Sequence, residues 1–258
     1  MTRETEEKLA RSLTAETTEL IPFLPYLLQD FWALGSDPDN VAGLVKKHVG
    51  LSENTKILDL ACGKGAVSVK IAQTLQVKVK GIDIMPAFTE VAEQKAREHN
   101  INDLCEFVVG DINEAVKNEK DYDGVIFAAA GNLLGGPAET LNKLKSTIKQ
   151  GGHILIDADY IPDNGKQEDV KYNACRYFTE KQWAGLIEEA GLELIETVSG
   201  DSPDGDSGMA LITARANELI EKYPDKKDMF MGYLSSQQNE YIDIKNSLVC
   251  VTLVLKKL

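Results

Sequence analysis

Residues 57–65 read Ile57-Leu58-Asp59-Leu60-Ala61-Cys62-Gly63-Lys64-Gly65, and this stretch decides the fold. Apolar side chains lead to an acid and a glycine-rich turn. The AVSVKIAQTL that follows at 66–75 carries apolar residues at helical spacing. A buried strand that turns directly into a helix is the opening of a βαβ unit. Glycines at 63 and 65 permit positive φ and let a ligand approach the backbone of the turn. The pattern departs from the dinucleotide fingerprint, because Ser68 stands where a third glycine would fall. A carboxylate at the strand's tip would repel a pyrophosphate and attract an ammonium or sulfonium. The turn therefore suits a ligand with a positively charged amino-acid end.

The same rhythm continues outward. VKVKGID (77–83), CEFVVGD (105–111), YDGVIFAAA (122–130), HILIDAD (153–159) and LELIETVSG (192–200) read as strands. PAFTEVAEQKAREHN (86–100), GPAETLNKLKSTIKQGG (136–152) and TEKQWAGLIEEAG (179–191) read as helices, two of them with proline early. LVCVTLVLKK (248–257) is too apolar for an edge and is expected inside the sheet. The alternation predicts an α/β protein with a doubly wound, seven-stranded, mostly parallel sheet. Residues 1–40 and 201–247 fall outside this rhythm. The latter opens with a loop (DSPDGDSG, 201–208) and then places Ile212, Ala216, Leu219 and Tyr223 on one helical face. Both segments are expected to form a helical cap on a core of about 41–200 plus 248–257, within one domain spanning 1–258.

Asp83 ends the second strand 20 residues after Gly63, a spacing that suits a carboxylate accepting from ribose hydroxyls. Asp111 ends the third, placed to accept from an adenine amino group. All three acids belong to the carboxyl ends of adjacent strands, where open α/β sheets bind ligands. Composition narrows the partners. The 258 residues carry 28 basic and 41 acidic side chains, a net charge of −13, which disfavours a nucleic-acid substrate. Cys62, Cys105, Cys175 and Cys250 form no CxxC pair and are expected as buried, reduced thiols. A charged N-terminus and the lack of any 18-residue apolar run predict a cytoplasmic protein with no membrane segment.

In register, ILDLACGKG, GIDIMP, FVVGDINE and YDGVIFAAAGNLLGG resemble the motifs of class I S-adenosylmethionine-dependent methyltransferases over roughly residues 50–200. Ala61 replaces the commoner first glycine, and 248–257 fits that family's reversed last strand. The resemblance implies a Rossmann-like fold, S-adenosylmethionine as cofactor, and methyl transfer by in-line displacement. It implies that Asp59 holds the methionine amino group through water, with Ala61, Cys62 and Gly63 forming the turn. Asp83 would bind the ribose, Ile84 and Met85 would pack on the adenine, and Asp111 with the Ile112 amide would read its edge. Ala128 would lie beside the methionine moiety.

The acceptor is read from the cap and from what is missing. Ala129-Ala130-Gly131-Asn132 stands where amide and exocyclic-amine methyltransferases carry Asn/Asp-Pro-Pro-aromatic. Asp157 and Asp159 follow no metal-binding pattern, so no metal is expected. His48 and His99 read as partners of helix C-termini, and His153 as structural. Aromatic residues of 23–34 and 230–241 are expected over strands four and five, enclosing a partly apolar pocket. Trp32, Tyr160 and Tyr177 are the candidate acceptor-site residues, with Tyr26, Asp30 and Phe31 beside them. Enclosure favours a small-molecule acceptor. The alternatives are a non-catalytic S-adenosylmethionine-binding protein and a methyltransferase of RNA or protein. A monomer or homodimer is expected.

Overall fold

The computed structural model describes residues 2–172, 176–200 and 205–258, with the backbone alone for 205 and 206. Cys175 and residues 201–204 of the expected loop lie outside it. In chain order the elements are α1 (Arg3–Ser12), α2 (Leu24–Leu27), α3 (Pro38–His48), β1 (Lys56–Leu60), α4 (Ala66–Leu75), β2 (Lys78–Asp83) and α5 (Pro86–Glu98). There follow β3 (Cys105–Val109), α6 (Ile112–Asn118), β4 (Tyr122–Phe127), α7 (Pro137–Lys145), β5 (Ile148–Tyr160) and α8 (Glu180–Glu189). The chain closes with β6 (Leu192–Ser199), α9 (Gly205–Lys222), α10 (Lys227–Asn246) and β7 (Val249–Lys257).

The seven strands form one sheet in the order β3-β2-β1-β4-β5-β7-β6. Pairings β1–β2, β1–β4, β2–β3 and β4–β5 are parallel, and β6–β7 is antiparallel. The strand order reverses at β1 and β4, which sets the carboxyl ends of β1 and β4 beside a topological switch point. β7 runs between β5 and β6 with Leu253, Val254 and Leu255 buried, as its apolar run predicts.

Three boundaries differ from the expectation. The helix expected over 136–152 ends at Lys145, and Ile148 already pairs with Tyr122. The turn at Gly151, with φ +75°, and a register shift between Tyr122 and Gly124 absorb the irregular start of β5. The fourth strand stops at Phe127 because Ala129 adopts φ +49°. The end of the expected 201–208 loop is already helix α9 from Gly205.

The chain packs into two compact units. One comprises residues 1–31, 159–180 and 201–250; the other comprises 32–158, 181–200 and 251–258. Relative to the expected core and cap, segment 159–180 joins the cap and 32–40 joins the sheet. In the cap unit Phe23 packs edge-on against Tyr223 and Phe230, at 5.4 and 5.2 Å between centroids. With buried Tyr233, Ile212, Ala216 and Leu219 these rings make the cap's own core. Tyr26 is exposed and bonds Glu218, and Asp30 receives a two-pronged guanidinium from Arg215 at 2.6 and 3.0 Å. The three described cysteines are half-buried rather than buried. Among the described residues no helix is long and apolar enough to cross a membrane.

Candidate active site

β1 carries its apolar side chains into the core and ends beside the turn, so Asp59 is drawn inside with only 3% of its surface exposed. Among the described residues its carboxyl has one hydrogen bond, from Ser68 in the first turn of α4, whose hydroxyl donates to Oδ2 at 2.5 Å and is itself wholly buried. Burial pushes the Asp59 carboxyl up to about 7; the Ser68 bond lowers it and Asp83 raises it. Asp83, at the tip of β2, accepts from the Gly63 amide at 2.8 Å and the Met85 amide at 2.9 Å. Burial raises its pKa, and the amides of Met85, Gly63 and Ile84 oppose that. Among the described residues no salt bridge joins either acid to a lysine or arginine. Burial without a cationic partner leaves both carboxyls with acceptor capacity and favours their protonated forms.

The turn is shaped by positive φ: 60° at Ala61, 52° at Gly63 and 75° at Gly65. Ala61 thus holds a conformation that glycine adopts without cost, which explains why glycine is the commoner residue there. The two glycines turn their open faces toward protein. A Cβ on Gly65 would stand 2.6 Å from that of Ala92, and one on Gly63 would stand 3.3 Å from Leu34. Gly65 therefore serves the packing of α4 on α5. The Cys62 thiol is raised by burial and by both acids, so it remains protonated and is no nucleophile.

Residues 32–36 lie across this turn. Trp32 Nε1 donates to the Lys64 carbonyl at 2.9 Å, while the indole stacks on His99 at 5.8 Å beneath the Lys95 ammonium. Trp32 is therefore packed with α5 and the turn. Gly35 has no room for a Cβ, which would meet the Ala129 side chain at 2.5 Å. Asp157 of β5 receives the Ser36 hydroxyl, the Ala129 amide at 3.0 Å and the Thr252 hydroxyl at 2.7 Å. It braces the loop after β4, on which half-buried Ala128 sits. Sequence reading singled out Asp157 but not this role, read Ser68 only as a departure from the dinucleotide fingerprint, and missed Gly35, whose partner Ala129 is distant in the chain.

Asp111 caps α6, accepting from the Asn113 amide at 2.8 Å, and Ile112 is buried behind it. Asn113 also donates to the Leu133 carbonyl at 3.1 Å, joining this cap to the loop after β4. Met85 is buried, and Ile84 is half-buried at the head of α5. Tyr160 and Tyr177 belong to the cap unit. Tyr160 is buried at the end of β5 and bridges Phe178, next to Tyr177, through the backbone. Burial, then Glu180, pushes its phenol up to about 12, so at neutral pH it can donate a hydrogen bond but does not act as a base. Among the described residues no three His, Cys, Asp or Glu side chains are grouped to hold a metal. His48 bonds Glu196 beside Lys47, and His153 is lowered by burial, Lys256 and His48.

A strand order that reverses between β1 and β4, a glycine turn after β1 and acids at or just past the ends of β1, β2 and β3 fit a class I methyltransferase fold. Residues 51–236 match the family model described as a methyltransferase domain, and the chain belongs to this family of S-adenosylmethionine-dependent methyltransferases. It is 26% identical over 195 residues to the uncharacterized protein YjhP of Escherichia coli K12, covering 73% of this chain and 77% of that one. It is 29% identical over 184 residues to the malonyl-[acyl-carrier protein] O-methyltransferase of Halalkalibacterium halodurans, covering 69% of this chain and 64% of that protein. A S-adenosylmethionine-dependent methyltransferase of Geobacter sulfurreducens, solved with S-adenosyl-L-homocysteine, has the same fold. It superposes with a TM-score of 0.76 at 21% identity, covering 91% of this chain and 97% of that chain.

Proposed function

We propose that this methyltransferase moves a methyl group from S-adenosylmethionine to a small-molecule acceptor. The observation that carries the reading is the pair of buried acids, Asp59 and Asp83, without a cationic partner at a turn built on positive φ. Such a pair fits the cofactor's ammonium and ribose and is hostile to a diphosphate. When bound, the cofactor supplies an already activated electrophile, a methyl group on a positive sulfur.

The protein's part is then alignment and exclusion of water. Asp59 would face the methionine amino group and Asp83 the ribose hydroxyls, using the lone pairs its amide bonds leave. Ile84 and Met85 would border the adenine, and Asp111 with the Ile112 amide would face its edge. Ala128 would flank the methionine moiety, its loop held by Asp157. Tyr160 and Tyr177 are retained as proposed acceptor residues. The net charge of −13 supports a small acceptor over a nucleic acid.

Calorimetry with S-adenosylhomocysteine and with nicotinamide dinucleotides tests the cofactor. Micromolar binding of the former alone is expected, and binding of a dinucleotide alone would refute the reading. Labelled methyl transfer to a panel of small acceptors, with Tyr160→Phe and Tyr177→Phe as controls, tests the acceptor class. Transfer confined to RNA or protein would overturn that half.

A further inference from the structure

We propose that Ser68 is a positioning residue for the cofactor: its buried hydroxyl holds and charges Asp59, so that cofactor binding expels a proton and depends on pH near neutrality. The inference rests on the cofactor reading above and adds to it a residue and a linkage.

The geometry is specific. Ser68 is the third residue of α4, and its Oγ lies 2.5 Å from Asp59 Oδ2, a short distance suited to a hydroxyl on a carboxylate. Both side chains are shut off from water, and this is Asp59's only hydrogen bond among the described residues. The ionisable groups facing Asp59 are Asp83 from β2 and the protonated Cys62 thiol of the turn. Lys64, in the same turn, directs its ammonium over the Phe88 ring. Burial and Asp83 therefore oppose the charge, and the Ser68 hydroxyl is the one group bonded to Asp59 that favours it. With its pKa up to about 7, the carboxyl of the free protein is near half-protonated at neutral pH. A bound ammonium requires the carboxylate, so the proton leaves to solvent when the ligand enters.

The sign follows from linkage. Affinity is full above the free-protein pKa and falls about tenfold for each pH unit below it. Removing the hydroxyl takes away a hydrogen bond to a charged group, which raises the Asp59 pKa by about one unit.

The test is calorimetric titration with S-adenosylhomocysteine between pH 5.5 and 8.5, in buffers of different ionisation enthalpy, on the wild type, Ser68→Ala and Asp59→Asn. Wild-type affinity is expected to fall about tenfold from pH 8 to pH 6, with about half a proton released at pH 7. Ser68→Ala should bind about tenfold more weakly than wild type at pH 6 and less than about twofold more weakly at pH 8.5. Asp59→Asn should bind weakly with no pH dependence in this range. A Ser68→Ala profile parallel to wild type, or Asp59→Asn retaining the pH dependence, would overturn the proposal even if Ser68→Ala proves unstable. Wild-type protein that binds no S-adenosylhomocysteine at any pH would overturn the cofactor reading, and this inference with it.

Discussion

Asp59 in the sheet unit and Asp243 in the cap unit are buried to nearly the same degree, at 3% and 1% exposure, for opposite reasons. Asp243 on α10 accepts from the Lys171 amide at 2.9 Å with one oxygen and from the Tyr172 amide at 2.6 Å with the other. Its charge is spent on fastening the segment after β5. Asp59 has one hydroxyl and an acidic neighbour. The difference teaches how to separate a structural buried acid from a binding one. The first has each oxygen engaged by backbone, and the second keeps acceptor capacity and an unbalanced charge, which a cationic ligand complements.

Asp243→Ala should break the structural side of this contrast hardest. Two buried amides lose their acceptor, and stability should fall by about 4 kcal/mol. Urea unfolding measures it, and cofactor affinity should change less than about twofold. Asp83→Ala lies between the two types, because its acid both ties the Gly63 and Met85 amides and is proposed to hold the ribose. Its affinity for S-adenosylhomocysteine should fall about 100-fold, roughly 3 kcal/mol, by calorimetry. An unchanged affinity would remove the ribose role.

Asp59→Asn should do the opposite of Asp243→Ala. The folded carboxyl titrates near 7 against 3.8 in the unfolded chain. Folding therefore takes up a proton between these values, and this group's contribution to stability declines as pH rises from about 4 through 7. Removing the charge should stabilise the free protein by about 2 kcal/mol at pH 8 while weakening cofactor binding; thermal unfolding at pH 5 and 8 shows whether the gain is confined to the higher pH. The smallest effect sharpens the turn itself. Ala61→Gly relieves a left-handed backbone against a more flexible unfolded chain and should stabilise by about 0.5 kcal/mol. A destabilisation of that size would mean the Ala61 methyl is needed for packing.

Much of the fold was legible. The strand–turn–helix at 57–75 and the acids ending three strands are local patterns, and local patterns survive in the one-dimensional record. The apolar run at 248–257 announced a strand inside the sheet, although its place between β5 and β6 is a matter of pairing. The part played by the other aromatic residues was less legible, because an aromatic side chain reads alike whether it lines a pocket or packs on its neighbours. Phe23, Tyr223 and Phe230 do the latter.

From the order of residues alone came the class of fold and the three acids at the carboxyl ends of adjacent strands, since these depend on periodicity and on which acids end which strands. The three-dimensional arrangement alone decided that Ser68 bonds Asp59, that Asp157 braces the loop after β4, and that Trp32 lies against α5. The physical reason is that burial and hydrogen bonding arise between segments distant in sequence, and these interactions set how strongly a carboxyl holds its proton.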